Sequence, residues 1–533
     1  MRILLVNPKY PQTFWSFNRV LRMLNKKVLL PPLGLLTVAA LLPQTWQYRL
    51  ADLVARDISE EDWNQCDVVL VTGLVNQYSG ILETVRRAKA RGKTVVVGGP
   101  MAFHIPEDIL AAGADVVVKG EAEPAVDELV KCLERGDSGV IIEAPQLADM
   151  ADSPPPRYDL MNLDDYVDMG LQFSRGCPFR CEFCDITLMH GRRVRTKSTK
   201  QILNELQVLY DLGWRKAVFF VDDNLIGNVS RAKALLRELI PWMEERRHPF
   251  DFYTQASVNL AADRELLDMM VRAGFYRVFL GIETPDKESL ELTKKYQNVA
   301  ADLNQVCERI NRAGMQIIAG IIIGFDNERP DVDQRLIQFA SRNQIPEMFI
   351  TLLQAGPGTD LFKRLEQEGR LLSPVSVDDF GSQTGMINFV TTRPIDGIVK
   401  EFVQAYDVLF EPGFYLDRLG EHFARMNRPP INKAPVPLSL SELRAVLITI
   451  IRQGLMYPSR WKWWKALFKV LRRSPNTFPH FMASCVTAEH YFQFRQTIKK
   501  QLPEALAQRE QHWVLSTACG APVQSGQKSS QTP

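Results

Sequence analysis

The sequence lacks the features that mark several specialised classes of protein. Eight cysteines in 533 residues are too few for a disulfide scaffold, and only three of them cluster, which favours a reducing compartment. The first ten residues lack the long apolar run of a signal peptide. The longest apolar stretch, residues 28–43, is interrupted by Pro31 and Pro32 and falls short of the ~20 residues that a spanning helix needs. We therefore predict a cytoplasmic protein.

A strong net charge is also absent. The 64 Lys and Arg residues against 62 Asp and Glu give a net charge of +2, which offers no reason to expect a nucleic-acid partner. This average hides an asymmetry. Residues 443–500 contain eleven Lys or Arg and a single acid, Glu489, so this segment carries +10 and the remaining chain −8. A basic block on an acidic body indicates a surface for an anionic partner.

The length predicts two to four domains, and the apolar pattern places them in an α/β fold. Residues 1–140 alternate β-branched runs with helical patterns, which predicts a flavodoxin-like or Rossmann-like parallel sheet. The predicted strands are 3–7, 48–52, 67–72, 94–97 and 115–118, and a proline-rich linker, 141–165, follows.

The alternation resumes in residues 166–375, where six units predict a partial (β/α)6 barrel with its chemistry at the carboxyl ends of the strands. Its predicted strands are 171–174, 216–221, 252–256, 277–282, 316–323 and 348–353. Residues 376–513 predict a basic, mainly helical region, in which Ser439 and Glu442 cap a helix that runs to 456. The polar residues 514–533 predict a disordered tail.

Cys177, Cys181 and Cys184 are the strongest chemical signal in the chain. Three thiolates within eight residues suit one face of a [4Fe–4S] cluster, which normally takes four Cys ligands, so one iron stays open for another chelator. His190 lies six residues further on, and a Cys₃His zinc site is the alternative.

The C-x₃-C-x₂-C spacing, with Phe183 before the last Cys, resembles the signature of the radical S-adenosylmethionine (SAM) enzymes. The flavodoxin-like domain that precedes it makes the chain similar to the cobalamin-binding subclass. The segments RGCPFRCEFCDIT, FFVDDNLIGN, GIETP and GIIIGFD resemble a branch that includes hopanoid C-2 methylases, bacteriochlorophyll side-chain methylases and archaeal tetraether ring-forming enzymes. The resemblance covers residues 1 to about 410 and extends more loosely over the basic region.

This resemblance implies three cofactors: a [4Fe–4S] cluster on the three cysteines, SAM on its open iron, and cobalamin. The reduced cluster would cleave SAM to a 5′-deoxyadenosyl radical, and the protein would orient the reactants. An external electron donor such as flavodoxin or ferredoxin would supply the electron.

The resemblance also implies a set of SAM contacts. Other roles stay open for some of these residues. Phe183 could pack within its loop, Asp222 to Asn224 could cap the following helix, and Glu283 could form a buried salt bridge. Gln255, Ser257 and Asn259 alternate on one strand and so share a face. The family often has Glu three residues after the second glycine of its G-x-I-x-G, where this chain has Asn327 and then Glu328. The implied SAM contacts are Phe183, Asp222, Asp223, Asn224, Gln255, Ser257, Glu283, Gly320 and Gly324.

Three glycine-containing loops in the first domain resemble the contacts of a cobalamin nucleotide tail. The D-x-H-x-x-G motif, which supplies a His to cobalt in many cobalamin domains, is absent, and His104 is the only His before residue 190. We expect His104 at a helix entry or on the surface, and cobalamin without a protein His on cobalt; loss of cobalamin is the alternative. The implied contacts are Thr72, Gly73, Leu74, Gly98, Gly99, Pro100, Gly120 and Glu121.

Residues 460–473 combine three Trp and six cations with no acid. As a helix, this segment places Trp464, Leu467, Phe468 and Leu471 on one face, which predicts an interfacial helix on an anionic membrane at the inner membrane face. A helix packed on the barrel with a solvated basic rim is the alternative, and nucleic acid is a third.

The leading hypothesis is a cobalamin-dependent radical SAM enzyme that methylates an unactivated carbon of an apolar substrate, such as a lipid, a polycyclic terpenoid or a tetrapyrrole. A radical cyclase, C–C coupling or oxidative enzyme without methyl transfer is the first alternative. A methylthiotransferase is a further one, although its extra cluster cysteines have no counterpart, since Cys66 and Cys132 stand alone. A non-catalytic cobalamin sensor is the alternative from another class.

Overall fold

Short runs of β-branched residues form a six-stranded parallel sheet in the first domain. The computed structural model describes residues 1–372, 382–435 and 437–518, with side chains through 509. Numbered along the chain, the strands lie side by side in the order 2-1-3-4-5-6, which extends the flavodoxin-like order by one strand and places the topological switch point between the first and the third strand. The strands are β1 (Arg2–Asn7), β2 (Gln47–Asp52), β3 (Val68–Thr72), β4 (Thr94–Gly98), β5 (Val116–Lys119) and β6 (Val140–Glu143).

The predicted fold class of this domain is confirmed, and its five predicted strands are present. The sixth strand, β6, was not predicted, because four residues are too few to show a period. It carries the sheet into the predicted linker. The helices are α1 (Asn18–Leu24), α2 (Leu33–Leu41), α3 (Glu60–Asn64), α4 (Tyr78–Lys89), α5 (Pro100–His104), α6 (Pro106–Ala111) and α7 (Val126–Arg135).

The second domain is an open parallel barrel whose strands follow one another in chain order. Its two edges are the first and the last strand, so the predicted partial barrel is confirmed. The six barrel strands are β7 (Met169–Leu171), β10 (Ala217–Phe220), β11 (Asp251–Ala256), β12 (Phe275–Glu283), β13 (Gln316–Ile323) and β14 (Glu347–Leu352). A separate antiparallel pair consists of β8 (Ser174–Arg175) and β9 (Arg195–Thr196).

The predicted strand 171–174 is wrong in its placement. The barrel strand β7 ends at Leu171, and Ser174 belongs to the antiparallel pair. The chain leaves the barrel because the Asp222 carboxylate binds the N–H groups of Phe173 and Ser174. The helices of this domain are α8 (Ile186–Met189), α9 (Thr199–Asp211), α10 (Val229–Glu245), α11 (Arg264–Ala273), α12 (Lys287–Leu292), α13 (Tyr296–Val299), α14 (Leu303–Ala313), α15 (Val332–Asn343) and α16 (Asp360–Gln367).

The third region is helical, as predicted. Its helices are α17 (Ile395–Leu409), α18 (Pro412–Arg425), α19 (Leu440–Thr449), α20 (Arg460–Arg473) and α21 (Phe478–Ala518), and a π-helix spans Ile450–Met456. The capping box of Ser439 and Glu442 is present, and the helix predicted to run to 456 changes to π geometry after Thr449. The predicted domain end at 375 and the tail beyond Ala518 lie outside the described residues.

The apolar face predicted for α20 from Trp464, Leu467, Phe468 and Leu471 is wrong in one member, because Leu467 lies on the buried face. Trp463, Ala466, Leu467 and Val470 are buried, whereas Trp461, Phe468 and Leu471 are exposed, so the apolar residues are divided between two faces. The buried face packs on α18, where Gly420 lies against Ala466. Within the described ranges, no helix is long and apolar enough to cross a membrane.

Candidate active site

The three cysteines of the motif lie in one loop between β8 and α8, at the carboxyl-end side of the barrel. Gly176 begins this loop with φ +92°, and a Cβ there would lie 3.0 Å from the carbonyl oxygens of His190, Gly191 and Arg193. Only glycine fits this close approach without strain. The loop then turns on a hydrogen bond from Cys184 N–H to Cys181 O (3.1 Å). The local sequence therefore forces the three thiols into one compact loop.

The electrostatics of this loop fit a cationic cluster. Burial raises the pKa of all three cysteine thiols, so their thiolates need positive charge nearby. The chain supplies part of it through Lys295, and Gln297 Nε2 donates to Cys181 Sγ at 3.7 Å. A [4Fe–4S] cluster held by the three thiolates would supply the rest. In the part of the chain that the structure describes, no three His, Cys, Asp or Glu side chains are grouped to hold a single ion, as a Cys₃His zinc site requires.

Asp222 and Asp223 hold the loop of residues 176–185 (the cluster loop) rather than capping the following helix. The buried Asp222 carboxylate accepts from Phe173 N (3.1 Å) and from the amide and hydroxyl of Ser174. Burial raises the pKa of Asp222 to about 7 and also raises the pKa of Asp223. The Asp223 carboxylate accepts from Gly176 N at 3.1 Å. Both acids therefore position the chain that leads into Cys177.

Asn224 links this loop to the next strand. Its side-chain amide donates to Ser257 Oγ (3.0 Å), and its Oδ1 accepts from Ser257 N (3.2 Å). Ser257 also donates to Asn259, while Gln255 lies half-buried two residues earlier on β11. The predicted alternation on one strand is wrong: β11 ends at Ala256, so Gln255 lies on it, whereas Ser257 caps a 3-10 helix, Val258–Ala262, that contains Asn259.

Glu283 forms the buried salt bridge that was the alternative to a SAM contact. It lies at the end of β12 with φ +63°, and its carboxylate pairs with Lys295. The Lys295 ammonium lies 5.9 Å from the centre of the Phe183 ring, and Phe183 packs on Phe325 at 6.1 Å. Sequence reasoning missed Lys295, because nothing in its spacing from the cysteines marks it. The pair places a carboxylate and an ammonium beside the cluster loop.

Gly320 of β13 and Gly324, directly after this strand, permit close packing of the backbone. A Cβ on Gly320 would lie 2.7 Å from the Phe279 ring, and Gly324 adopts φ +109°. Glu328 fills the position that the sequence left uncertain, since its Oε2 accepts from Gly324 N (2.8 Å) and from Arg393 (3.1 Å). Its Oε1 is buried and has no partner among the described residues, and burial raises the pKa of Glu328 to about 7. An acid with one unused oxygen suits a bound polar ligand.

A cavity of about 310 Å³ lies between the first domain and the barrel. A Cβ on Gly99 (φ +88°) would overlap Thr72 Oγ1, and one on Gly120 (φ +111°) would lie 2.7 Å from Ala144 Cβ. Such backbone cradles with largely aliphatic walls fit the nucleotide tail of cobalamin, and the volume suits that part of the cofactor. Of the eight predicted contacts, Gly73 and Leu74 do not line this cavity; those that do are Thr72, Gly98, Gly99, Pro100, Gly120 and Glu121.

The Glu121 side chain is already occupied by protein partners. It forms a bidentate ion pair with Arg195 (2.6 and 2.7 Å) and accepts from His190 Nδ1 (2.7 Å) and Ala148 N (2.7 Å). These partners hold the pKa of Glu121 far below its usual range. Nearby, Arg175 pairs with Glu123 at 2.8 Å. Glu121 therefore joins the cobalamin-type domain to the cluster loop, a role that no local spacing predicts.

His104 makes a second link between the domains, and the predicted surface position is wrong. Its side chain is 4% exposed, and its Nε2 lies 3.2 Å from Asp185 Oδ2, directly after Cys184. His104 is the last residue of α5, so this end of the helix contacts the cluster loop. The ring is therefore engaged with the barrel domain.

Comparison with protein families divides the chain in the same way as the structure. Residues 21–130 match the B12 binding domain, residues 171–340 match the radical SAM superfamily, and residues 359–504 match a domain of unknown function, DUF4070. Fold, cysteine loop and cavity thus define a radical SAM enzyme that binds a [4Fe–4S] cluster, SAM and cobalamin.

Characterised and uncharacterised methyltransferases resemble the chain over most of its length. An uncharacterised methyltransferase of Synechocystis sp. is 45% identical and covers 95% of this chain and 94% of its own. The hopanoid C-2 methylase of Rhodopseudomonas palustris is 35% identical over 70% of this chain and 71% of its own. The bacteriochlorophyllide d C-12(1)-methyltransferase of Chlorobaculum tepidum is 24% identical over 69% and 79%. The chain belongs to the family of cobalamin-dependent radical SAM methyltransferases.

Solved structures share the fold. The radical SAM methyltransferase TsrM of Kitasatospora setae, with cobalamin and a [4Fe–4S] cluster bound, superposes with a TM-score of 0.60 over 92% of this chain and 99% of its own. Its sequence identity is 15%, so the likeness concerns the fold alone.

Proposed function

We propose that this enzyme transfers a methyl group from SAM to an unactivated carbon of an apolar substrate, namely a polycyclic terpenoid, another lipid or a tetrapyrrole. The observation that carries the proposal is the layered interior of the barrel, which is polar at its floor and apolar in its middle. The cluster loop lies above these layers.

The floor of the barrel is closed by buried polar groups. Arg277 Nη2 lies 3.4 Å from Glu347 Oε1, and Gln316 Nε2 donates to the same oxygen at 2.9 Å. Tyr491 of α21 reaches Glu347 Oε2 at 3.2 Å, so the C-terminal helix seals this end. A substrate therefore enters from the carboxyl ends of the strands, where the cluster loop lies.

The middle layer is aromatic. Phe279 and Phe349 point into the barrel one pleat above the floor, with ring centres 6.1 Å apart. Trp15, from the segment after β1, packs on Phe349 at 5.2 Å and on Phe279 at 6.3 Å. These three side chains remain half-buried, which leaves apolar surface for a ligand. Such a wall favours a flat or polycyclic hydrocarbon over a charged substrate.

The residues of the upper layer fit the cofactors named above. The cysteines would hold the cluster, Glu283, Lys295 and the backbone of Gly320 and Gly324 would line the SAM site, and the glycine cradle would hold the cobalamin tail. Together these groups supply radical generation and methyl transfer when bound. The protein excludes water and fixes the substrate, through the floor and the aromatic wall.

The methylase relatives support this class of substrate, since their names specify a hopanoid and a bacteriochlorophyllide. The test is anaerobic reconstitution with iron, sulfide and hydroxocobalamin, a flavodoxin or dithionite as electron donor, and SAM with a deuterated methyl group. A pentacyclic triterpene and a chlorin in detergent serve as substrates. A product that gains the labelled methyl group supports the proposal. Formation of 5′-deoxyadenosine with an altered, unlabelled product would replace it with radical cyclase or oxidase chemistry.

Variants separate the cluster from the substrate wall. Cys181→Ala should lose both the [4Fe–4S] absorption and 5′-deoxyadenosine formation, whereas Cys132→Ala, in the first domain, should keep both. Phe349→Ala should raise KM for the substrate while the cluster spectrum stays unchanged. Comparative lipid and pigment profiles of a deletion strain identify the natural product as the one that lacks a methyl group.

A further inference from the structure

Exposed apolar side chains are concentrated in one part of the C-terminal region. Of the seventeen large apolar side chains that are exposed in the described residues, ten lie between Leu438 and Leu471. The remaining seven are scattered from Met1 to Val390. We call the ten residues the apolar surface; they are Leu438, Leu440, Leu443, Leu447, Ile451, Leu455, Met456, Trp461, Phe468 and Leu471. Exposed apolar side chains that are concentrated in this way mark an interaction site.

The helix α19 exposes its large apolar side chains and buries small ones, which is the reverse of an ordinary surface helix. It buries Ala445 and Thr449 and exposes Leu440, Leu443 and Leu447, which are 87%, 49% and 57% exposed. A helix that only packed on the barrel would turn its leucines inward. The apolar stripe of α19 therefore faces a partner outside this chain.

The helix α20 continues the surface on its outer face. Its inner face packs on α18, and its outer face carries Trp461, Trp464, Phe468 and Leu471 at intervals of three and four residues. Trp461 is 73% and Phe468 63% exposed, and the Trp464 ring stacks near Phe468 at 6.0 Å. An amphipathic helix with tryptophan beside a basic rim is typical of the interface of a membrane.

The rim of this surface carries unpaired positive charge. Lys462 and Lys469 pair with Asp417 and Glu421. The single acid of residues 438–473, Glu442, is taken by Lys216 at 2.9 Å. Five other cations have no ion-pair partner among the described side chains; they are Arg444, Arg460, Lys465, Arg472 and Arg473.

These observations identify the partner by its chemistry. We propose that residues 438–473 dock this enzyme on the surface of an anionic lipid bilayer, with the apolar side chains in the interface and the five cations at the lipid headgroups. Cations near such a surface strengthen binding about five-fold each. A second copy of the chain is disfavoured, because a two-fold contact would bring the same five cations together.

The docking surface lies at the end of the barrel opposite the cluster loop. Lys216, which pairs with Glu442, immediately precedes β10, and Arg418 of the supporting helix α18 donates to Ile345 O just before β14. The bilayer would thus lie beneath the sealed floor, and the open end of the barrel would face away from it. The surface therefore anchors the enzyme without blocking the cofactor end.

The test is co-sedimentation of the reconstituted full chain with vesicles of phosphatidylcholine alone or with added phosphatidylglycerol. We expect the protein to bind the vesicles that contain phosphatidylglycerol and not those of pure phosphatidylcholine. This binding should be lost as the salt concentration rises from about 0.1 M to about 0.5 M. Equal binding to both vesicle types, or none, would overturn the proposal. If the protein is a dimer in solution and substitutions in the apolar surface make it monomeric, the surface binds a second copy of the chain instead.

Two variants separate the apolar and the charged contributions. The triple change Trp461→Ser, Phe468→Ser and Leu471→Ser should weaken binding at least about 100-fold through lost apolar burial. The triple change Lys465→Gln, Arg472→Gln and Arg473→Gln should weaken it roughly 100-fold and reduce its salt dependence. Leu147→Ser, an exposed leucine elsewhere, is the matched control and should bind normally. 5′-Deoxyadenosine formation in detergent should be unchanged in all three, so failure here leaves the methyl-transfer proposal intact.

Discussion

Glu121 of the first domain and Arg195 of the barrel domain form a bidentate ion pair, with N–O distances of 2.6 and 2.7 Å, across the boundary between the cobalamin-type cavity and the cluster loop. The Glu121 carboxylate is 3% exposed and also accepts from His190. This one carboxylate thus fixes two cofactor sites relative to each other, and it lies in the wall of the cavity itself.

Glu121→Gln should loosen the two domains. Removing one partner of a buried pair leaves Arg195 without compensation and costs about 3–5 kcal/mol of the free energy of unfolding. Urea unfolding measures this, and the absorbance of released cobalamin reports the cavity. Glu143→Gln, which breaks an exposed pair with Lys119, is the control and should cost under about 1 kcal/mol. Equal effects of the two variants would refute a special role for Glu121.

The contribution of Glu121 should depend on pH. Its pKa in the native state lies well below the value of about 4.3 expected in the unfolded chain. Its stabilisation is therefore fully present above about pH 5 and is lost as the pH falls towards the native pKa. The difference in unfolding free energy between wild type and Glu121→Gln should shrink on acidification below about pH 4. A difference that stays constant across this range would contradict the ion-pair account.

Asp222→Ala should impair cluster assembly through the backbone. The change leaves the buried N–H groups of Phe173 and Ser174 without an acceptor, which costs about 3 kcal/mol and frees the chain before Cys177. Iron per chain after reconstitution should fall, and Asp211→Ala, at the exposed end of α9, should bind iron like the wild type. Full iron content in Asp222→Ala would show that the loop holds its shape without this carboxylate.

Gly99→Ala should weaken cobalamin retention. The new Cβ would overlap Thr72 Oγ1 in the wall of the cavity, so the Thr72 side chain must rotate and lose its hydrogen bond to Gly98 O, or the loop must move. Gly92→Ala is the control, because Gly92 also has positive φ (+65°) but no atom within 4 Å of a Cβ. Both should lose about 1 kcal/mol through backbone strain. Only Gly99→Ala should lose cobalamin on gel filtration, and equal retention would exclude the cradle.

Much of the fold was predictable, because parallel strands buried on both faces leave continuous apolar runs such as Val95 to Val97. The cysteine loop was also predictable, since its three ligands lie within eight residues. The strand 171–174 was misplaced because its apolar pattern continues past Leu171, while a carboxylate about fifty residues away draws the chain out of the barrel. The sequence around residues 171–174 does not indicate that Asp222 accepts hydrogen bonds from this segment.

By itself, the sequence determined the order of the domains, the cofactor loops and the basic character of residues 443–500, since each depends on residues close together in the chain. Only the tertiary structure decided which partners the charged residues meet. Glu121 was predicted to contact a cofactor, and its carboxylate pairs with Arg195. Leu467 was predicted on the outer apolar face of α20 and lies on the buried face. Such outcomes depend on packing between distant segments, and packing is what divides the apolar residues of α20 between the protein core and the proposed membrane surface.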